Sequence, residues 1–219
     1  MMKTVMRAAS AMALLFSAQS ASAHEVDKSD WVEKTYDFEG FDEIRLQGVY
    51  DVTIEVGPAY SIQISGPAKR MDALNVRVEG DQLLLDHEGR KKRIKKKHGF
   101  QAVVTTPSLT RLELQGVGSI VATGIDADRF DVGLEGVGSL EVSGKCGKLT
   151  ASLEGIGSLE ASKLKCKDVK VDVEGMGSAE VYASESVDAD IDGMGSIEVD
   201  GNPKDVKTSK SFLSSIEIN

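Results

Sequence analysis

The chain of 219 residues lacks the usual carriers of chemistry. It has three histidines, His24, His87 and His98, and none falls in the second half. A serine or cysteine nucleophile needs a base within hydrogen-bond reach, so the second half cannot assemble a Ser-His or Cys-His pair from its own residues. The two cysteines, Cys146 and Cys166, lie far from the N-terminus, so neither could carry a lipid anchor behind a leader. No apolar run reaches the length of a bilayer span, and helix signals are nearly absent after the first 23 residues. Glycine-rich turns are plentiful, yet no Lys-Ser/Thr pair follows them, which excludes a phosphate loop.

The first residues read as an export signal. Lys3 and Arg7 precede the apolar stretch Ala11 to Phe16, and Ala21-Ser22-Ala23 is a small-residue cleavage pattern. The expectation is a signal peptide over 1–23, an N-terminal segment over 24–40, and one domain over 41–219, in the periplasm, secreted or at the cell surface after cleavage near Ala23. Cleavage there makes His24 the amino terminus, a lone copper-type ligand without a second donor.

The formal charge is −9, and removing Lys3 and Arg7 takes it to −11. Seven cations then stand in one run, Arg90, Lys91, Lys92, Arg93, Lys95, Lys96 and Lys97, leaving −18 for everything else. So acidic a body argues against nucleic-acid binding. The basic run, whose one apolar member is Ile94, is either a solvated hairpin loop or a contact for an anionic surface, lipid headgroup or acidic polysaccharide.

Self-similarity dominates what remains. Gly-apolar-Gly-Ser begins at Gly116, Gly136, Gly155, Gly175 and Gly193, with spacings of 20, 19, 20 and 18. A degenerate sixth copy starts at Phe212. Aligned on the first glycine, the next position is always apolar: Val117, Val137, Ile156, Met176, Met194, Leu213. Positions four and six after the glycine are apolar too, as in Leu140 and Val142 or Ile197 and Val199. Positions six, four and two before it repeat the pattern, as in Phe130, Val132 and Leu134. Period two on both sides of a glycine bend predicts paired half-buried strands.

Stacked about 4.8 Å apart, such copies bury one continuous core. The fold class expected is therefore all-β, a right-handed parallel β-helix (solenoid) with rungs of about 19 residues. Residues 109–219 would form regular Gly-x-Gly-Ser rungs and 41–108 irregular ones, Leu46-Gln47-Gly48-Val49 echoing Leu114-Gln115-Gly116-Val117. Alternation alone does not fix strand direction, so an antiparallel arrangement stays open for part of the chain.

Three columns invite a functional reading. Glu135, Glu154, Glu174 and Asp192 precede the turns, and Glu141, Glu160, Glu180, Glu198 and Glu217 follow them. These are either a calcium or polycation strip or a solubilising face. The serine column from Ser119 to Ser215 is a hydroxyl ladder for turn backbone rather than a row of nucleophiles. Cys146 and Cys166 each lie nine residues before the next turn glycine, so they sit in register on neighbouring copies, as a disulfide or as two buried thiols.

The opening Phe38-x-x-Phe41-x-x-Ile44, the Thr106-Pro107-Ser108-Leu109 step, the Gly-x-Gly-Ser turns and Gly201-Asn202-Pro203 together resemble the GIN domain, the head of autotransporter adhesins. The resemblance covers most of residues 24–219 and implies a right-handed β-helix. This chain differs from the family's Ser-Gly-Ser-Gly wording by carrying an acid before the turn. The functional expectation is an exported, non-enzymatic module with a binding, adhesion-like or structural role and no cofactor beyond calcium. The alternative is a carbohydrate-active enzyme, a polysaccharide lyase or hydrolase, on the same scaffold. Short turns and uniform columns disfavour the unique cleft such an enzyme needs.

Overall fold

A computed structural model describes residues 29–87 and 99–219. The expected signal peptide, His24 and the basic run Arg90–Lys97 lie outside the described residues.

All regular structure is β except one helical turn, α1 (Ala68–Met71). The strands are β1 (Trp31–Tyr36), β2 (Glu43–Val56), β3 (Ser61–Pro67), β4 (Leu74–Glu79), β5 (Gln82–His87), β6 (Phe100–Thr106), β7 (Arg111–Asp200), β8 (Asp205–Lys210) and β9 (Ser214–Ile218). They form one nine-stranded sheet, mixed, partly parallel and curled around a single hydrophobic cluster.

The regular right-handed parallel β-helix expected from the repeats is not what forms. β1 pairs with β3, β3 with β6, and β4 with β5, all antiparallel, while β2 pairs in parallel with β5, β6 and β7. The cause is local. Gly80-Asp81 joins β4 to β5 in a two-residue hairpin, with Gly80 at φ +62°, and such a turn reverses the chain. An alternating strand looks the same in sequence whichever way it runs.

β2 shows how the irregular half meets the repeats. Leu46 lies opposite Leu114, Gly48 opposite Gly116 and Val52 opposite Ile120. On its other edge, Leu46 faces Leu85 and Tyr50 faces Phe100, so residues 86–99 stand where β2 needs only Gln47-Gly48-Val49. At the foot of this region Thr106, the one buried polar side chain among the described residues, places its hydroxyl 2.9 Å from the Phe41 carbonyl and 3.0 Å from that of Ser108.

Within β7 the copies lie against one another. A Cβ at Gly136 would land on the Gly116 carbonyl oxygen, one at Gly155 on that of Gly136, and one at Gly193 on that of Gly175. The bend thus brings backbone onto backbone at a distance that leaves room only for hydrogen, with Gly155 at φ +122°. On either side of the bend alternate residues are buried: Phe130, Val132 and Leu134, then Leu140 and Val142, and their counterparts through Ile197 and Val199. Leu134 and Leu153 reach under the second glycines, Gly157 and Gly177, filling the space those glycines leave. Each such leucine contributes about 2 kcal/mol through burial.

The last copy is built differently. Phe212 replaces the glycine and its side chain is 99% exposed. Ser211 satisfies the backbone instead, its hydroxyl donating to the Gly193 carbonyl at 2.6 Å and accepting from the Gly193 amide at 3.2 Å.

Candidate binding surface

The position after the first turn residue is apolar in every copy, and it points outward. Val49 is 39% exposed, Val117 47%, Val137 46%, Ile156 49%, Met176 44%, Met194 47% and Leu213 64%. Counting by two through the glycines gives the reason. Leu134, Gly136, Gly138 and Leu140 share the inward parity, which assigns Val137 to the outer face. The sequence signal was available: the glycines, not the residue between them, occupy the crowded side. Single exposed apolar residues need no explanation, but a file of seven on successive copies is a contiguous patch.

Carboxylates border this file. Glu135, Glu154, Glu174 and Asp192 stand exposed on one side, and none of them takes part in an ion pair among the described residues. On the other side come the serines, half-buried from Ser119 to Ser178, then Glu160, Glu180, Glu198 and Glu217, all exposed. Glu141, in the same column, pairs with Lys163 at 3.0 Å, and this hydrogen bond raises the lysine pKa. Among the described residues no three His, Cys, Asp or Glu side chains converge on a point where a metal ion could sit. The acids form a line, not a cage.

Toward β2 the border changes character. Gln47 and Gln115 replace the acids and bond each other at 2.8 Å. Arg45 pairs with Glu113 at 2.6 Å, and Arg111 reaches Asp131 at 3.2 Å and Glu43 at 3.4 Å. Arg45, Arg111, Glu113, Gln115 and Asp131 line a depression of about 310 Å³ together with Gly133, Glu135, Ser152 and Glu154. Beside β2 the border is thus made of neutral amides and ion-paired carboxylates, whereas Glu135, Glu154, Glu174 and Asp192 have no ion-pair partner among the described residues.

Cys146 and Cys166 are joined in a disulfide with Cα atoms 4.5 Å apart, on the opposite side of the molecule from the turn glycines in sequence register. Ser119 Oγ lies 3.1 Å from Asp51 in the open, and β7 contains no histidine. Tyr50 is fully buried against Phe100 with its hydroxyl unpartnered among the described residues, and burial pushes its pKa up, so it stays protonated. His87, close to the same ring, has its pKa lowered by burial first and then by Arg70, which stacks 4.9 Å from the Phe100 centroid. Neither group opens onto a cleft. Among the described residues no helix is long and apolar enough to cross a membrane.

The fold class is thus an all-β sheet with a broad regular face of ordered, solvent-facing side chains. The sequence matches the family described as "Putative auto-transporter adhesin, head GIN domain" over residues 40–203, and the chain belongs to that family. Among solved structures it is similar to a putative adhesin from Bacteroides fragilis, at 24% identity and TM-score 0.67, covering 87% of this chain and 98% of that one. It is also similar to a putative lipid binding protein from Parabacteroides distasonis, at 19% identity and TM-score 0.53, covering 87% and 97%. A putative adhesin from Parabacteroides merdae aligns at 18% identity and TM-score 0.53 over the same shares. At these identities the likeness is one of fold. No curated protein matches the sequence.

Proposed function

We propose that this protein is an exported, non-enzymatic, adhesion-type binding module that meets its partner through the outward apolar file and its acidic borders. The observation that carries the reading is the exposure of the file itself. Seven apolar side chains between 39% and 64% exposed are retained on successive copies, where any polar residue would fit the same open position. Burying them in a partner would gain about 1 kcal/mol or more each, whereas leaving them in water gains nothing. Membership of an adhesin-head family supports the same conclusion.

Beads coated with the purified chain are expected to adhere to bacterial cell envelopes. The Ile156→Glu, Met176→Glu double variant changes only exposed side chains and should keep the wild-type melting temperature while losing most of that adhesion. Equal adhesion by both proteins would refute the assignment of the surface. Turnover of an acidic polysaccharide by the purified chain would instead favour the enzyme reading.

A further inference from the structure

We infer that the partner of this face is a second copy of the same chain, whose basic segment Arg90–Lys97 docks along the apolar file, so that the contact is homophilic. This rests on the reading of the file as the binding surface and adds the identity of its occupant.

Three observations converge. The first is chemical pattern. The face presents carboxylate, apolar, serine, then carboxylate columns, and Glu135, Glu154, Glu174 and Asp192 have no cationic partner among the described residues. Unit charges at this spacing repel by roughly 1 kcal/mol per neighbouring pair in water, a cost that a polycation removes. Because the acids are strung in a line and no three share a point, an extended cationic chain answers them better than one metal ion. The segment Arg90-Lys91-Lys92-Arg93-Ile94-Lys95-Lys96-Lys97 offers cations on both sides of one apolar residue.

The second is length. Eight extended residues span about 26 Å, and the file from Val117 to Leu213 crosses five intervals of about 4.8 Å, or about 24 Å.

The third is polarity. The segment is rooted between β5 and β6 at the bend beside Val49, where a Cβ on Gly99 would meet the Val49 carbonyl oxygen at 2.6 Å. At that end of the chain's own file Gln47 and Gln115 replace the acids, and the carboxylates present, Glu43, Glu113 and Asp131, are already paired with Arg45 and Arg111. The carboxylates run from Glu135 to Glu217, away from the root. Basic end and acidic body of different molecules therefore complement each other head to tail. Such a heterologous contact does not close on itself and grows into chains with concentration.

Sedimentation velocity on the purified full chain, from about 5 to about 500 µM in ~0.05 M salt and again in ~1 M salt, tests this. The weight-average mass should rise with concentration in low salt and return to monomer in high salt. Replacing the seven cations of the run with Gln, or introducing Ile156→Glu with Met176→Glu, should each weaken self-association by at least about tenfold. A monomer at every concentration would overturn the proposal, whether because the segment lies on its own chain or has another target. Monomers that sediment with anionic lipid vesicles through the run would identify that target as a headgroup. Association that survives neutralisation of the run would also overturn it. Bead adhesion to cells is read separately, so the surface assignment can stand when the homophilic occupant falls.

Discussion

Gly155→Ala isolates the constraint on which the stacked half of the molecule depends. The residue sits at φ +122°, a conformation an L side chain rarely adopts, and its Cβ would fall on the Gly136 carbonyl oxygen. Backbone strain of this kind costs about 1–3 kcal/mol. Pushing the two copies apart weakens adjoining backbone hydrogen bonds, each worth about 1 kcal/mol net. Together these predict a loss of about 3–5 kcal/mol. In a domain of this size 1 kcal/mol moves the melting temperature by about 2–4 °C, so the variant should melt roughly 10 °C lower.

Gly80→Ala is the matched control. Gly80 is also at positive φ, +62°, but nothing lies within 4 Å of where its Cβ would go. It should cost about 1–2 kcal/mol, from strain alone. Both substitutions restrict the unfolded chain alike, so that effect cancels in the comparison. Thermal unfolding followed by far-UV circular dichroism, with urea midpoints as a second measure, reads the difference. Equal shifts for the two variants would show that the copies are not held backbone to backbone at the turn, and the packing argument would fail.

Reducing the Cys146–Cys166 bridge, or replacing both residues with Ser, releases a loop of sequence separation 20 and should cost about 3 kcal/mol, seen as a melting temperature roughly 6–12 °C lower. An unchanged melting point after complete reduction would count against any stabilising role for the bridge. For His87, burial and Arg70 depress the folded pKa below the unfolded value of about 6.5. The unfolded chain then binds more protons in that window, so stability falls as pH drops through about 6.5 toward the folded value. Melting temperatures between about pH 7.5 and about pH 5.5 should decline less in His87→Gln than in the wild type, and parallel curves would contradict the assignment.

Much of the local structure was legible from residue order alone. Alternation by two depends only on successive side chains pointing to opposite faces, so Phe130, Val132, Leu134, Leu140 and Val142 could be placed inside without knowing their neighbours. Equal spacing from the turn glycine likewise set Cys146 against Cys166. The same counting, carried through Gly136 and Gly138, would have put Val137 outside. That an apolar residue can stand outside follows from burial being a one-way rule.

Strand direction was beyond the sequence pattern, because hydrogen-bonded ladders accept either orientation of an alternating segment. Only the assembled sheet shows that β3 and β4 turn back against their neighbours while β2 runs parallel to β5, β6 and β7. The sequence by itself determined which side chains leave water and where glycine must stand, since both follow from geometry within a few residues. Tertiary structure alone decided the mixed sheet, the single file of exposed apolar groups and its change from neutral to acidic border, because these arise from copies far apart in the chain being brought side by side.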